Sequence, residues 1–325
     1  EPAVATNAHR GTRRRPSGGR STFGTPLAAL VVMAILAIDV VTPIARPGRA
    51  AAAPVCTTTW VGPTTGFATF ASPTSWSTGV TPAASDVVCF PATAAMTFQS
   101  VATTLGGWDV APGGSVTVGG STAFTIAGDA DLGGTTVANG ATLTLDRTVS
   151  VSDGETLRLA TGTVTVVADG SATIDVHAGA SMVVTGSAQV RVDIVNHGSI
   201  VLSPPGSSGQ VTLGSGSTFT NHGVVEMTDA AAILGAAGSP MPEVINSTQG
   251  TFVVDGRSFT PLQCCGLSTS ARIAGTAFTN DGLVSLRTGQ FGLFTSGTHA
   301  GRFEIAEGAQ LGLAGESNVF ADGST

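Results

Sequence analysis

The sequence has no lysine and no tyrosine, and only 11% of its 325 residues are charged. All 14 basic residues are therefore arginines, and seven of them precede Pro54. Beyond residue 53, seven arginines stand against 19 acidic residues, which gives a net charge of −12. Because these arginines are scattered singly along an acidic chain, they form no basic patch for nucleic acid or anionic lipid. We therefore expect no nucleic-acid partner and no membrane insertion after residue 53.

The motifs of common catalytic and metal sites are absent as well. There is no Ser-His-Asp context, no phosphate-binding loop and no zinc-ligand spacing. Asp129 and Asp131 form one charged pair at alternate positions, and Arg191 and Asp193 form another. Neither pair has an identifiable charged partner elsewhere, so we interpret both as solvated surface charge. The sequence thus predicts no catalytic residue, no bound cofactor and no metal site.

A short repeated phrase organises the chain instead: an apolar residue, two small or polar residues, glycine, two more residues, and an alternating apolar pair. The phrase begins at five positions: Val110, Val137, Val151, Val176 and Ile305. Its glycine permits a tight turn with positive φ. Its alternating pair has the period of a strand with one buried face. The repeating unit is therefore a turn followed by a strand.

A second phrase gives the spacing of the repeat. Asn196, Asn221 and Asn246 each precede a glycine and an apolar strand, and the three are evenly spaced. A period of about 25 residues, built from short strands and turns, indicates a solenoid of stacked coils. Asparagines at the same place in successive coils can bond to one another through their side-chain amides. We predict such a structural ladder at these three asparagines.

These patterns predict an all-β protein whose residues 110–325 form a single-stranded parallel β-helix of eight or nine coils. The crossover rule favours a right-handed coil. Residues 54–109 are predicted to cap the first coil, because an open solenoid end exposes unpaired strand edges. No terminal cap is recognisable before Thr325, which predicts that further coils or an anchoring domain have been lost by truncation.

Residues 1–53 have the order of a secretory signal peptide. A cationic segment is followed by an uncharged apolar run at positions 27–38, and then by four alanines at positions 50–53. A membrane anchor is the alternative, but a membrane span needs about 20 apolar residues, more than this run contains. We predict cleavage within residues 50–53 and a secreted or cell-surface protein.

Residues 56–90 form a distinct entry segment that holds Trp60 and Trp76, two of the three tryptophans. With Pro82, and with Asp86 before a short apolar strand, this segment resembles the opening of bacterial secreted β-helix and adhesin-like passenger regions. The resemblance implies a β-helix at the cell surface. It does not indicate which activity the protein has. We interpret the two tryptophans as packing in the cap, and a sugar-stacking platform is the alternative.

Four cysteines in an exported chain indicate disulfides, with three possible pairings. We predict a Cys56–Cys89 disulfide, which would stabilise the cap by about 3 to 4 kcal/mol. Cys264 and Cys265 are adjacent, and the interval from Asn246 to Asn280 that holds them is longer than the regular spacing, so we expect them on an inserted loop. A vicinal disulfide is the simplest interpretation there, and a redox or metal role is the alternative.

Two sets of outward residues are candidates for binding. His197 and His222 share the Asn-His-Gly context one coil apart, and stacking would place them about 4.8 Å from each other. Two imidazoles can hold a metal, but no third ligand recurs in register, and His177 and His299 stand alone. Exposed turn residues are therefore the favoured interpretation.

The second set, Thr142-x-Thr144 and Thr163-x-Thr165, would suit ice or a crystalline polymer, although two occurrences do not make a ladder.

The sequence as a whole favours a structural or adhesive surface rod that presents loops to a surface glycan or another protein. A carbohydrate-active β-helix enzyme, either a polysaccharide lyase or a glycoside hydrolase, is the alternative. Such an enzyme should gather carboxylates and arginines in one lateral groove across consecutive coils.

Overall fold

The computed structural model describes residues 54–99, 101–160, 162–168, 171–202, 209–256, 270–315 and 317–321. The described residues are strands and turns apart from one short 3-10 helix at Pro73–Ser75, so the predicted all-β class is confirmed. None of their helical structure has the length and hydrophobicity of a membrane span. The expected signal peptide, Cys264 and Cys265 lie outside the described residues.

The strands follow one another through short turns. In chain order they are β1 (Thr58–Thr59), β2 (Thr65–Ala68), β3 (Val87–Phe90), β4 (Ala95–Gln99), β5 (Ala102–Leu105), β6 (Gly107–Val110), β7 (Ser115–Gly119), β8 (Ala123–Ile126), β9 (Thr135–Val137), β10 (Thr142–Leu145), β11 (Val149–Val151), β12 (Thr156–Leu159), β13 (Thr163–Ala168), β14 (Thr173–Val176), β15 (Ser181–Val184), β16 (Ser187–Arg191), β17 (Asp193–Asn196), β18 (Ser199–Leu202), β19 (Gln210–Leu213), β20 (Thr218–Asn221), β21 (Val224–Asp229), β22 (Ala232–Gly235), β23 (Glu243–Asn246), β24 (Thr251–Gly256), β25 (Ala271–Asn280), β26 (Leu283–Thr288), β27 (Gln290–His299), β28 (Arg302–Ile305), β29 (Gln310–Leu313) and β30 (Asn318–Phe320).

These strands form three faces, which the chain visits in the same order in each coil. Face 1 is a single sheet of β2, β4, β7, β9, β12, β15, β18, β21, β24, β26 and β28. Face 2 contains β5, β8, β10, β13, β16, β19, β22, the first halves of β25 and β27, and β29. Face 3 contains β1, β3, β6, β11, β14, β17, β20, β23, the second halves of β25 and β27, and β30. Neighbouring strands in each face are parallel, so the described chain is a β-solenoid of about nine turns.

The stacking extends upstream of Val110, where the repeated phrase begins. On face 3, β3 pairs with β6, and on face 1, β4 pairs with both β2 and β7. On face 3, β6 and β11 are connected through two isolated parallel bridges, Trp108 with Ala130 and Asp131 with Ser150. The coils therefore include much of the segment that precedes the repeated phrase.

The coil length varies along the chain: the longer coil before Asn280 is expected, and shorter coils occur that the period of about 25 residues does not predict. On face 3, the coil from Val176 to Asn196 is shorter than the coil from Asn196 to Asn221. The coil from Asn246 to Asn280 is longer than either. Short strands fix the pairing, while the corners between them accept different numbers of residues without disturbing it.

Glycine has two different roles at the corners. The glycines of the repeated phrase have φ between +77° and +90°, as predicted: Gly113, Gly140, Gly154, Gly179 and Gly308. In the Asn-His-Gly phrase, a Cβ on Gly198 would clash with the carbonyl oxygen of Ala180 in the preceding coil. Stacked corners approach too closely there for any other residue.

One hydrophobic core runs through the stack from Trp60 to Leu293. Every second residue of a strand points into this core. In β12, for example, the side chains of Leu157 and Leu159 are buried while Arg158 is exposed. At the entry end the core is aromatic: Trp76 contacts Trp60 and Phe70 edge-on, with ring centroids 5.0 and 4.9 Å apart. Burial of these rings is the main force that holds successive coils together.

Four fully buried asparagines occupy the same inward position in successive coils of face 3: Asn196, Asn221, Asn246 and Asn280. The Nδ2 atom of each of the first three donates to Oδ1 of the next at 2.7–2.8 Å. The first three also donate to a backbone carbonyl in the following coil at 3.1–3.3 Å. In earlier coils this position holds valines such as Val176, and the last asparagine is followed by His299.

Candidate functional site

The corner between faces 3 and 1 carries outward residues immediately after the asparagine ladder. His197 and His222 occupy this corner in neighbouring coils, with ring centroids 4.9 Å apart and ring planes 10° apart. Nδ1 of His222 lies 2.9 Å from the hydroxyl of Ser247, which holds the same position one coil later. His197 is exposed and His222 is half-buried. The two rings form a stacked pair that is open on its outer side.

A third histidine belongs to the same corner. The backbone N–H of His197 donates to the carbonyl of Val176, which places His177 one coil before His197. Nε2 of His177 lies 3.5 Å from Oδ2 of Asp175. The interpretation that His177 stands alone is therefore wrong: its coil is shorter than those that follow and lacks the Asn-His-Gly phrase, so the even spacing does not reveal the alignment. We call His177, His197 and His222 the histidine column.

The surroundings of His222 disfavour its protonated form. Burial, and then the neighbouring His197, lower the pKa of His222, while the carboxylate of Asp175 acts in the opposite direction. Oδ1 of Asp175 is buried and has no hydrogen-bond partner among the described residues. The column therefore places ring nitrogens beside one incompletely paired carboxylate.

Three carboxyl groups meet at an earlier point on the same edge of the solenoid, and we call them the carboxylate corner: Asp109, Asp131 and Glu155. Asp131 is only 6% exposed. Its Oδ1 accepts hydrogen bonds from the N–H groups of Gly133 and Ser152 at 2.9 and 3.3 Å, and its Oδ2 accepts one from the Ser152 hydroxyl. The interpretation of Asp131 as solvated surface charge is therefore wrong.

The carboxylate corner raises the pKa of two of its carboxyl groups. Burial, the negative charges of Asp131 and Asp109, and a side-chain hydrogen bond with Asp131 raise the pKa of Glu155 to about 7. Burial and the charge of Asp131 also raise the pKa of Asp109. The Glu155 carboxyl lies against Gly133, where a Cβ would clash with it. The absence of a side chain at Gly133 thus leaves room for the Glu155 carboxyl.

The raised pKa makes stability depend on pH. Because Glu155 ionises near pH 7 in the native state but near 4.5 when unfolded, only the native state keeps the proton between these values, and stability falls as the pH rises through them. Solvent screening reduces the effect to about 1 to 2 kcal/mol. We expect Glu155→Gln to match the wild type at pH 4 and to exceed its unfolding free energy by that amount at pH 8, in urea titrations.

A matched control separates this effect from general surface charge. Glu226 is an exposed carboxylate on β21, so Glu226→Gln should leave the pH profile of stability unchanged. A difference between Glu155→Gln and the wild type that stays constant from pH 4 to pH 8 would contradict the raised pKa.

An open groove of about 420 Å³ lies beside the carboxylate corner, and Glu155, Thr136 and Arg158 line it. Thr136 also belongs to a row of outward threonines in register on face 1, which we call the threonine column: Thr97, Thr117 and Thr136. Arg158 takes the next place in this row. The arrangement joins a row of neutral hydroxyls to a charged groove.

The chain matches no protein-family model, no curated protein and no solved structure. Its function must therefore be argued from the histidine column, the carboxylate corner and the adjoining groove. The other charged candidates do not join these sites: Asp129 and Arg191 are exposed, and Asp193 accepts a hydrogen bond from the N–H of Thr218 at 2.8 Å.

The tryptophans of the entry segment are not available to a ligand. Trp60 and Trp76 are each 2% exposed, and their indole N–H groups donate to the carbonyls of Pro63 and Phe70 at 2.9 and 2.8 Å. A buried ring whose polar atom is already bonded offers no face to a sugar. The sugar-stacking alternative is therefore excluded for both residues.

Cys56 and Cys89 form a disulfide with Cα atoms 5.7 Å apart. With Asp109 they are the only three potential metal ligands of the described residues whose atoms already lie within 4.8 Å of one another. Because both sulfur atoms are already bonded to each other, this group has no thiolate to offer a metal. The disulfide joins the start of the entry segment to β3 on face 3.

Proposed function

We propose that this protein is a secreted or cell-surface β-solenoid that acts as a structural or adhesive rod and binds a surface polysaccharide. The basic, apolar and small segments of residues 1–53 support export. The observation that carries the proposal is the parallel stack itself, which repeats outward side chains at one strand spacing across consecutive coils. Such a periodic surface suits a repeating polymer better than a single small molecule.

The contact surface in this proposal is the threonine column with the groove beside it. Its hydroxyls both donate and accept hydrogen bonds, as sugar hydroxyls do, and they recur in three successive coils. Arg158 extends the row with a cation that can bond to the oxygens of a sugar.

A binding assay with paired variants tests the proposal. Thr117→Glu with Thr136→Glu should weaken retention on an insoluble surface polysaccharide by about tenfold, or about 1.4 kcal/mol, because two long charged side chains replace part of the hydroxyl row. The assay measures the fraction of full chain that sediments with the polymer.

The control carries the same substitutions on another face. Thr125 and Thr144 stack in register on face 2, so Thr125→Glu with Thr144→Glu should leave retention unchanged. Equal losses in the two double variants, or no retention of the wild type on any polysaccharide tried, would overturn the proposal.

A carbohydrate-active enzyme is the second candidate, because Glu155 has a pKa suited to a general acid or base and shares its groove with Arg158. Release of new sugar ends that Glu155→Gln abolishes would establish the enzyme, whereas retention without products supports the rod.

A further inference from the structure

Three imidazoles at one corner of three consecutive coils are an unusual concentration of nitrogen ligands in a chain with five histidines. Imidazole nitrogen is the ligand that Zn²⁺, Ni²⁺ and Cu²⁺ prefer among neutral side chains. We propose that the histidine column binds one divalent transition-metal ion, with Zn²⁺ as the reference ion, through His177, His197 and His222. The site is separate from the threonine column and does not depend on the proposed function.

The residues around the column resemble the outer shell of a metal site. A metal-bound histidine usually bonds through its other ring nitrogen to a carboxylate or another acceptor, which fixes the orientation of the ring. Asp175 stands in this relation to Nε2 of His177, at 3.5 Å, and the Ser247 hydroxyl to Nδ1 of His222, at 2.9 Å. Each of these two rings therefore keeps one nitrogen for a metal.

The rings must change orientation to share one metal ion. Two nitrogens bound to one tetrahedral zinc ion lie about 3.4 Å apart. The rings of His197 and His222 are stacked nearly in parallel with centroids 4.9 Å apart, so their nitrogen lone pairs do not converge, and binding requires at least one ring to rotate. His197 is exposed and can rotate about its side-chain bonds to supply this movement.

A carboxylate beside the column also favours a metal. The buried Oδ1 of Asp175, which has no partner among the described residues, adds negative charge beside the three rings. A bound cation would offset that charge.

Calorimetric titration of the full chain with ZnCl₂ at pH 7.5 tests the site. The titration uses a Cys264→Ser/Cys265→Ser background, so that these thiols do not compete for the metal. We expect one ion per chain, and an affinity at least about tenfold lower in His197→Ser/His222→Ser. Serine is the matched replacement because Ser247 occupies the same corner one coil later. An unchanged melting temperature without metal will show that the variant is folded.

Three further measurements decide between this site and general attraction to an acidic protein. Glu307→Gln removes an exposed carboxylate several coils beyond the column, so it should bind Zn²⁺ as the wild type does. Ca²⁺ should not compete, since it prefers oxygen ligands. The Cu²⁺ complex should show nitrogen hyperfine splitting in its EPR spectrum. Equal Zn²⁺ affinity in the double histidine variant, effective competition by Ca²⁺, or no Zn²⁺ binding by the wild type would each overturn the proposal.

Discussion

Replacement of Asn221 by alanine is expected to lower the free energy of unfolding by about 3 to 5 kcal/mol. The side chain is fully buried, accepts hydrogen bonds from Asn196 and from the N–H of Gly223, and donates to Asn246 and to the carbonyl of Thr251. Alanine leaves several of these partners buried and unpaired, which costs more than the loss of the bonds themselves. Urea unfolding followed by circular dichroism measures the change.

Two comparisons identify the ladder as the cause. Thr220→Ala changes the outward neighbour in the same strand and should cost no more than about 0.5 kcal/mol. Replacing Asn196, Asn221 and Asn246 together by valine should lower the free energy of unfolding by less than the sum of the three single changes. The triple variant leaves fewer buried amide groups without a hydrogen-bond partner. A cost below about 1 kcal/mol for Asn221→Ala would contradict the ladder's role.

Replacement of Trp76 by alanine is expected to destabilise one end of the solenoid by about 3 to 5 kcal/mol. Trp76 is buried between the rings of Trp60 and Phe70, in the segment that we expect to cap the first coils. In a stack where each coil contacts only its neighbours, such a loss acts locally. Hydrogen exchange should therefore become faster in β3 and β6 and stay unchanged in β20 and β23.

A second aromatic residue serves as the matched control. Phe252 in β24 is fully buried and contacts Phe278 with ring centroids 5.8 Å apart. Phe252→Ala should reverse the pattern, with faster exchange in β20 and β23 and unchanged exchange in β3 and β6. Loss of protection spread evenly over all strands in either variant would show that the coils do not behave as a chain of local units.

The general architecture could be predicted because it depends on local patterns. Alternating apolar residues such as Leu157 and Leu159 indicate strands with one buried face, and a glycine such as Gly154 at a fixed offset indicates the turn. The matching contexts of Asn196 and Asn221 indicate which residues stack. These signals lie within one coil or between two coils of equal length.

The stacking of His197 on His222 could be predicted in the same way, but the other members of the candidate sites could not, because they depend on which coils become neighbours. His177 joins the column only because a short coil aligns Val176 with Asn196, and Glu155 meets Asp131 only because another short coil aligns Asp131 with Ser150. Corner lengths are not periodic, so the sequence carries no direct signal for these alignments. The position of Glu155 within the repeated phrase is the one hint that it lies at a corner.

Other expectations stay predictions. The right hand of the coil rests on the crossover rule. Export rests on the pattern of residues 1–53, and the surface role rests on the proposed polysaccharide contact and on the resemblance of residues 56–90 to adhesin-like passenger regions. The vicinal pair of Cys264 and Cys265 lies outside the described residues.

Nuclear Overhauser effects between methyl groups of the core test the central claim most directly, namely that coils of unequal length stack in parallel register. On face 1, Leu157, Met182, Ile200 and Val225 occupy successive inward positions, and the coil from Met182 to Ile200 is shorter than the coils on either side of it. Their methyl groups should show strong contacts between each residue and the next. Absence of the contact between Met182 and Ile200, with the other two contacts present, would contradict the register and with it the account of both sites.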